Sequence, residues 1–338
     1  AAIAAYPQLG VSGAPIAVSN EWGVNKNLFN ADESTMQFLD DVLTQVATLF
    51  PGKFVHIGGD EAVKDQWKAS PKMQARIRQL GVKNEAGLQA WMVARLEKTL
   101  AAHGRYLIGW DEILEGKLPA SATVMSWRGT AGGIAAAKQG HGVVMTPSDT
   151  LYLDYLQTTS SNEPPGRPAT IPLAQVYAFE PVPKALDAKQ ATHILGVQAN
   201  VWTEHMRSMG RVQHALFPRI AALAEGAWSP APARDYANFL QRLPAMLPRW
   251  QHQGIAYAQT PFQSELQPGA ATNTAQGALQ SLLGYTLRYT IDGSAPSASS
   301  PQYFAPLQLP LPTTLNAQLF FDQHALAPAT TLQLTRAS

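Results

Sequence analysis

The chain of 338 residues contains no cysteine. That excludes disulfides, thiol nucleophiles and thiolate metal sites together. Charge is scarce as well: Asp, Glu, Lys and Arg make up 14% of the residues, well under the usual quarter. The net charge is +1 and there is no Lys/Arg run, so nothing points to nucleic acid or another polyanion. No apolar run is long enough to span a bilayer. No GxGxxG follows a strand-like segment, which removes support for dinucleotide binding. The 8 histidines form neither HxH nor HExxH, so no metal site is expected.

What is present is apolar and aromatic. Hydrophobic residues reach 46% and there are 8 tryptophans, enough for a sizeable core. The opening "AAIAAYPQLG" has no basic n-region and reads as the tail of a helix entering a loop. The sequence is therefore expected to begin inside a larger fold.

Along the chain, short evenly apolar runs alternate with helical periodicity. Strands are predicted in "KFVHIGG" (53–59), "RYLIGW" (105–110), "ATVMSW" (122–127), "GVVMTP" (142–147) and "ILGVQANVW" (194–202). Helices are predicted over 34–50, 62–80, 85–103, "AGGIAAAKQG" (131–140), 212–228 and 234–253. Strands apolar on both faces and separated by helices argue for a parallel sheet. A doubly wound sheet and a (β/α)8 barrel both fit. Past Pro261 the helical period disappears. Leu287, Tyr289 and Ile291 alternate with polar neighbours before Asp292-Gly293, which predicts a small antiparallel β-sandwich. The expected division is 1–260 and 261–338.

Chemistry gathers where the parallel strands end. Asp60-Glu61 follow the first, Trp110-Asp111-Glu112 the second and Trp127 the third. Tyr152 and Asp154 come after the fourth, and Trp202 and Glu204 close the fifth. C-terminal strand ends are where α/β barrels build active sites. Aromatic faces beside carboxylates suit a sugar, with its apolar C–H surface and hydroxyl donors. Each signal has a plainer reading. Asp60-Glu61 alone read first as a helix N-cap with first-turn acids, and Asp111-Glu112 even more so. His56, alternating within its strand, reads as a buried structural histidine, and Arg167, in a long Pro-rich loop, as solvated.

"HIGGDEA" (56–62), "GWDEI" (109–113), "MSWRG" (125–129), "LYLDY" (151–155), "GVQANVWTE" (196–204) and "FPRIAALAEGAWSP" (217–230) together resemble the family 20 glycoside hydrolases, the β-N-acetylhexosaminidases. "YTIDGSAP" (289–296) resembles the C-terminal sandwich module of bacterial members. The resemblance implies an α/β fold: part of a (β/α)8 barrel, about strands 4 to 8, then an immunoglobulin-like β-sandwich. It implies an exo-acting retaining hydrolase that releases terminal GlcNAc or GalNAc by substrate-assisted catalysis, with no cofactor and no metal. Glu61 matches the general acid/base and Asp60 the carboxylate that orients the 2-acetamido group. Tyr152 matches the residue that hydrogen-bonds the acetamido oxygen. Trp110, Trp127 and Trp202 match the pocket walls, and Asp154 and Glu204 the acids that bind sugar hydroxyls. Glu61 must enter the reaction protonated while Asp60 stays charged, an arrangement that a buried pair of acids favours.

The expected partner is an N-acetylhexosamine-containing oligosaccharide or glycan, met in the periplasm or outside the cell. The family's sugar-binding arginine, and an Asp and His near its general acid, match no position here. They are expected upstream or on another chain, with the remaining barrel strands. A catalytically inactive carbohydrate-binding fragment on the same scaffold is the alternative. A third reading is an ordinary two-carboxylate glycosidase using Asp111 or Glu112.

Overall fold

A computed structural model of the protein describes residues 1–266 and 276–335. By contacts the chain forms two compact units, one of residues 1–148 and 181–198, the other of 149–180 and 199–338.

The first unit is built on a parallel sheet. Strands β1 (Phe54–His56), β2 (Tyr106–Trp110), β3 (Thr123–Ser126), β4 (Val143–Met145) and β5 (Ile194–Val197) lie side by side in chain order. All four pairings are parallel. The apolar content explains why: β3, in the middle, is buried along its whole length, as a strand covered on both faces must be. Helices α1 (Glu33–Leu49), α2 (Asp65–Ala69), α3 (Pro71–Gln79), α4 (Glu85–Ala102) and α5 (Ala131–Lys138) supply the cover. The stretch expected as one helix over 62–80 is two. Ser70 caps the second by accepting from the Met73 N–H, and Pro71 takes its first turn, where a missing N–H costs nothing. Met36, Trp67, Met73, Ile77, Leu88 and Met92 form a core cluster between these helices. The fifth strand is shorter than predicted, ending at Val197.

Among the described residues β1 is an edge strand, paired on one side only. Val55 is buried, while Phe54 and His56 are exposed. His56 is therefore not the buried histidine that its place in the strand suggests. Its ring packs edge-on against Trp110 at 4.8 Å.

The second unit joins helices to the sandwich. Helices α6 (Leu173–Ala178), α7 (Met209–Leu216), α8 (Arg219–Trp228), α9 (Tyr236–Arg242) and α10 (Leu247–His252) precede strands β6 (Ser264–Leu266), β7 (Leu279–Ser281), β8 (Thr286–Thr290), β9 (Thr313–Phe321) and β10 (Thr330–Leu334). Pro218 divides the helix expected over 212–228 into α7 and α8. β8 and β10 flank β9 antiparallel, and β6 pairs antiparallel with β7. Leu287 of β8 faces Leu319 of β9, and both are buried. The alternation stops one residue early: Ile291 lies past the end of β8 and is exposed. The sandwich is fastened to the helices before it, since Tyr285 donates its hydroxyl to the Leu240 carbonyl at 2.8 Å. Among the described residues no helix is long and apolar enough to cross a membrane.

Candidate active site

In the first unit, the turn after β1 carries the acidic pair. Gly58 and Gly59 adopt φ values of +74° and +98°, which side chains with a Cβ rarely tolerate. A Cβ on Gly59 would stand 2.6 Å from the Ile113 methyl. The chain can therefore pass close to the end of β2, where the Trp110 N–H donates to the Gly58 carbonyl at 2.9 Å. Gln89 of α4 donates to the Gly59 carbonyl at 2.8 Å. Glu61 follows with φ +51°, a left-handed conformation that costs a non-glycine residue about 1–3 kcal/mol and concentrates at functional sites. Neither acid is a helix cap. The next helix begins at Asp65, with Lys64 in the cap position. Both acids are exposed, so the burial expected of the pair is not supplied by the elements around it in this unit.

The second acidic dipeptide is spent differently. Asp111 and Glu112 are buried in the turn after β2. Asp111 accepts the backbone N–H of Trp127 and of Arg128, each at 3.2 Å, and the Arg128 Nε at 2.6 Å. Glu112 accepts the indole N–H of Trp127 at 3.0 Å. Burial raises the Glu112 pKa, against the lowering effects of that indole bond and of nearby Arg128. The two acids thus fix the backbone and ring of Trp127. Committed in this way, they do not fit a nucleophile and acid pair, and the two-carboxylate reading loses its support.

In the second unit, Tyr152, Asp154, Trp202 and Glu204 stand on two segments laced together. Leu153 donates to the Asn200 carbonyl at 2.8 Å, and Asn200 to that of Leu151 at 2.9 Å. Tyr152 is 5% exposed, with its ring edge-on to Trp202 at 6.1 Å. Burial pushes its phenol pKa up, against hydrogen bonds with Asn200 and Trp202. At neutral pH it is therefore an O–H donor. Trp202 is 41% exposed, which leaves part of its ring for a ligand. Glu204 is exposed. Asp154 is 4% exposed, and its Oδ1 has no hydrogen-bond donor among the described residues.

Two arginines at this site escaped the sequence reading. Arg167 is only partly solvated: it donates to Asp154 Oδ2 at 2.9 Å and lies 4.4 Å above the Tyr155 ring. Its loop swings round, so that 167–170 pair in parallel with 155–156. Arg219 of α8 is fully buried. It donates to the carbonyls of Leu153, Tyr155, Leu156, Ile171 and Ala215, so all five N–H groups of the guanidinium are used. Burial lowers its pKa to about 9. Three of those carbonyls lie directly beside or just beyond Tyr152 and Asp154, so this one side chain fixes the loop that carries both. An arginine inside the apolar helix pattern of "FPRIAALAEGAWSP" was the available signal. Among the described residues no group of three or more His, Cys, Asp or Glu could hold a metal ion.

Known proteins match both parts of the chain. The model of the glycosyl hydrolase family 20 catalytic domain matches residues 1–231. That of the chitobiase/beta-hexosaminidase C-terminal domain matches residues 266–330. The chain is 42% identical to a beta-hexosaminidase of Porphyromonas gingivalis, over 91% of this chain and 40% of that protein. It is 30% identical to a beta-N-acetylhexosaminidase of Cellulomonas fimi, over 81% of this chain and 52% of that protein. The chain thus spans about two fifths to one half of these relatives. Among solved structures, the GH20 exo beta-N-acetylglucosaminidase of Vibrio harveyi, in complex with N-acetylglucosamine, superposes with a TM-score of 0.67 at 32% identity. That match covers 76% of this chain and 41% of the other.

Proposed function

The chain belongs to glycosyl hydrolase family 20, and from that premise we propose that the protein is an exo-acting, retaining β-N-acetylhexosaminidase using substrate-assisted catalysis. Its substrates are the terminal, non-reducing GlcNAc or GalNAc residues of chito-oligosaccharides or glycans, met in the periplasm or outside the cell. The observation that carries this reading is the pair of adjacent acids, Asp60 and Glu61, which cap no helix and sit on a strained turn at a parallel strand end.

Adjacency suits this chemistry and no simpler one. A double-displacement glycosidase sets two carboxyl groups about 5–5.5 Å apart across the scissile bond, one of them the nucleophile. Side chains of neighbouring residues diverge, so Asp60 is poorly placed to attack. Here the substrate's acetamido oxygen attacks the anomeric carbon while Glu61 protonates the departing glycosidic oxygen. The C–O bond breaks and a cyclic oxazolinium ion forms. Water then adds to the anomeric carbon, Glu61 takes its proton, and the ring reopens to the acetamide with configuration retained. Intramolecular attack has a high effective molarity when the group is held in line. Tyr152 donates to the acetamido oxygen, and Trp110, Trp127 and Trp202 wall the pocket. Asp60 accepts the acetamido N–H and offsets the developing positive charge. Asp154 and Glu204 take sugar hydroxyls. We assign residues 1–260 to the catalytic domain and 261–338 to the sandwich domain. The remaining barrel strands, with the family's arginine and histidine, complete the open edge at β1.

The test is hydrolysis by the intact protein of a nitrophenyl N-acetylglucosaminide and of the matching glucoside, which lacks the acetamido group. Only the first should turn over. Glu61→Gln and Asp60→Asn should each cut kcat by about 10²-fold or more. Equal rates on both sugars, or an unchanged kcat in Asp60→Asn, would sink substrate assistance.

A further inference from the structure

Arg167 of the second unit has no task in the mechanism above. Arg167 touches Asp154, and the geometry around it describes more than a surface ion pair. We propose that Arg167 is itself a substrate contact. Together with Asp154 it clamps one ring hydroxyl of the terminal sugar, and so helps decide which sugar is accepted. The proposal rests on the hexosaminidase reading.

Three observations carry it. First, Asp154 is 4% exposed, with Oδ2 held by Arg167 at 2.9 Å and Oδ1 without a hydrogen-bond donor among the described residues. An unpaired carboxylate oxygen at such depth costs free energy, and a ligand O–H directed at Oδ1 removes that cost. Second, Arg167 uses one N–H on Asp154, and a guanidinium offers five. Its side chain is 28% exposed, so the unused donors can be reached. Third, Arg167 is held in place: its guanidinium lies 4.4 Å over Tyr155 and 6.0 Å from the centre of the Tyr152 ring. The charges of Asp154 and Glu204 both act on it. The arginine therefore stands among the residues assigned to sugar binding rather than at the loop's periphery.

The chemistry follows from what a hydroxyl is. It donates once and accepts twice. A carboxylate oxygen alone satisfies its proton, and an arginine N–H alone satisfies a lone pair. Asp154 Oδ1 and Arg167, side by side, satisfy both on the same hydroxyl, and each bond is charge-assisted. A site of that kind discriminates strongly against an analogue lacking the hydroxyl, because its own buried groups are then left unpaired.

The experiment compares the intact protein with Arg167→Gln on nitrophenyl N-acetylglucosaminide and on its 3-, 4- and 6-deoxy analogues. On the parent substrate the variant should lose roughly 10- to 100-fold in kcat/KM, the value of a charged hydrogen bond. On one deoxy analogue the difference between the two proteins should fall to within about twofold. An equal loss on all four substrates would mean that Arg167 only positions Asp154, and would overturn the contact. No loss on the parent would overturn it too. Calorimetric binding of GlcNAc separates this from the hydrolase reading. If the protein binds GlcNAc through Arg167 but hydrolyses nothing, the contact stands and the hydrolase reading falls. Equal GlcNAc affinity in both proteins overturns the contact. Should Arg167→Gln not fold, Arg167→Lys carries the same comparison, keeping the ion pair and losing the planar fork.

Discussion

Two identical dipeptides end two neighbouring strands of the first unit, and their fates differ. Asp60-Glu61 remain exposed on a strained turn, while Asp111-Glu112 are buried and bound to Trp127 and Arg128. Glu112 matters through the indole it holds. Glu112→Ala removes the acceptor at 3.0 Å from the Trp127 N–H, leaving a partly buried donor unsatisfied at a cost of about 1–3 kcal/mol. We expect the intact protein to lose that much stability and to bind GlcNAc more weakly. Titration calorimetry alongside thermal unfolding checks both. The acids themselves do not separate the two dipeptides, because each is an acid pair after an apolar strand. What separates them is also the partner each meets, and Trp127 lies just past the end of the next strand, β3. Arg167 reads as solvated for the same reason: its acceptor, Asp154, is 13 residues away across a loop that brings two segments into parallel pairing.

Elements were more legible than their partners. All five parallel strands fall inside the runs that apolar composition marks out, since burial on both faces leaves a continuous signature. Helix ends are less legible, and at 71 and 218 prolines divide the predicted helices. Loops hold what periodicity cannot reveal. Glu163, in the Pro-rich loop, accepts from His214 of α7 at 2.8 Å, Thr158 at 2.8 Å and Thr260 at 2.6 Å. Arg219 and Glu265 also lie within range of its charge. Burial pushes the Glu163 pKa up, but those three hydrogen bonds prevail and hold it below the ordinary glutamate range. A carboxyl whose folded pKa is depressed lends stability above its unfolded pKa and loses it as pH falls through the folded value. The loop should therefore loosen as pH falls below the ordinary glutamate range. Glu163→Gln should cost about 1–3 kcal/mol at neutral pH and flatten that acid dependence. Melting temperatures of both proteins between neutral and acid pH measure the two effects together.

For the molecule as a whole, the open side of β1 sets the terms. Phe54 and Tyr106 face each other in register with rings 5.7 Å apart, and both are about half exposed. An unpaired edge carrying apolar side chains is a template for another chain. We expect a protein of these 338 residues alone to self-associate, and Phe54→Lys with Tyr106→Lys to reduce the associated fraction. Size-exclusion chromatography with light scattering would show it, and a monodisperse monomer of the unaltered chain would contradict it. The sandwich illustrates the limit of reading domains from texture. Its strands were visible in their alternation, yet Tyr285 and Leu240 join it to the helices before it, and a change of pattern at Pro261 does not reveal such a bond.

The cage around Arg219 has a further consequence. Its walls are the carbonyl oxygens of Leu153, Tyr155, Leu156, Ile171 and Ala215, and backbone oxygens remain when a side chain is replaced. Arg219→Ala would leave a hole with the size, shape and polarity of a guanidinium ion. The free ion is a common denaturant, yet at this one position it would act as a prosthetic side chain. The reagent that unfolds the parent protein at high concentration would, at low concentration, restore the damaged one.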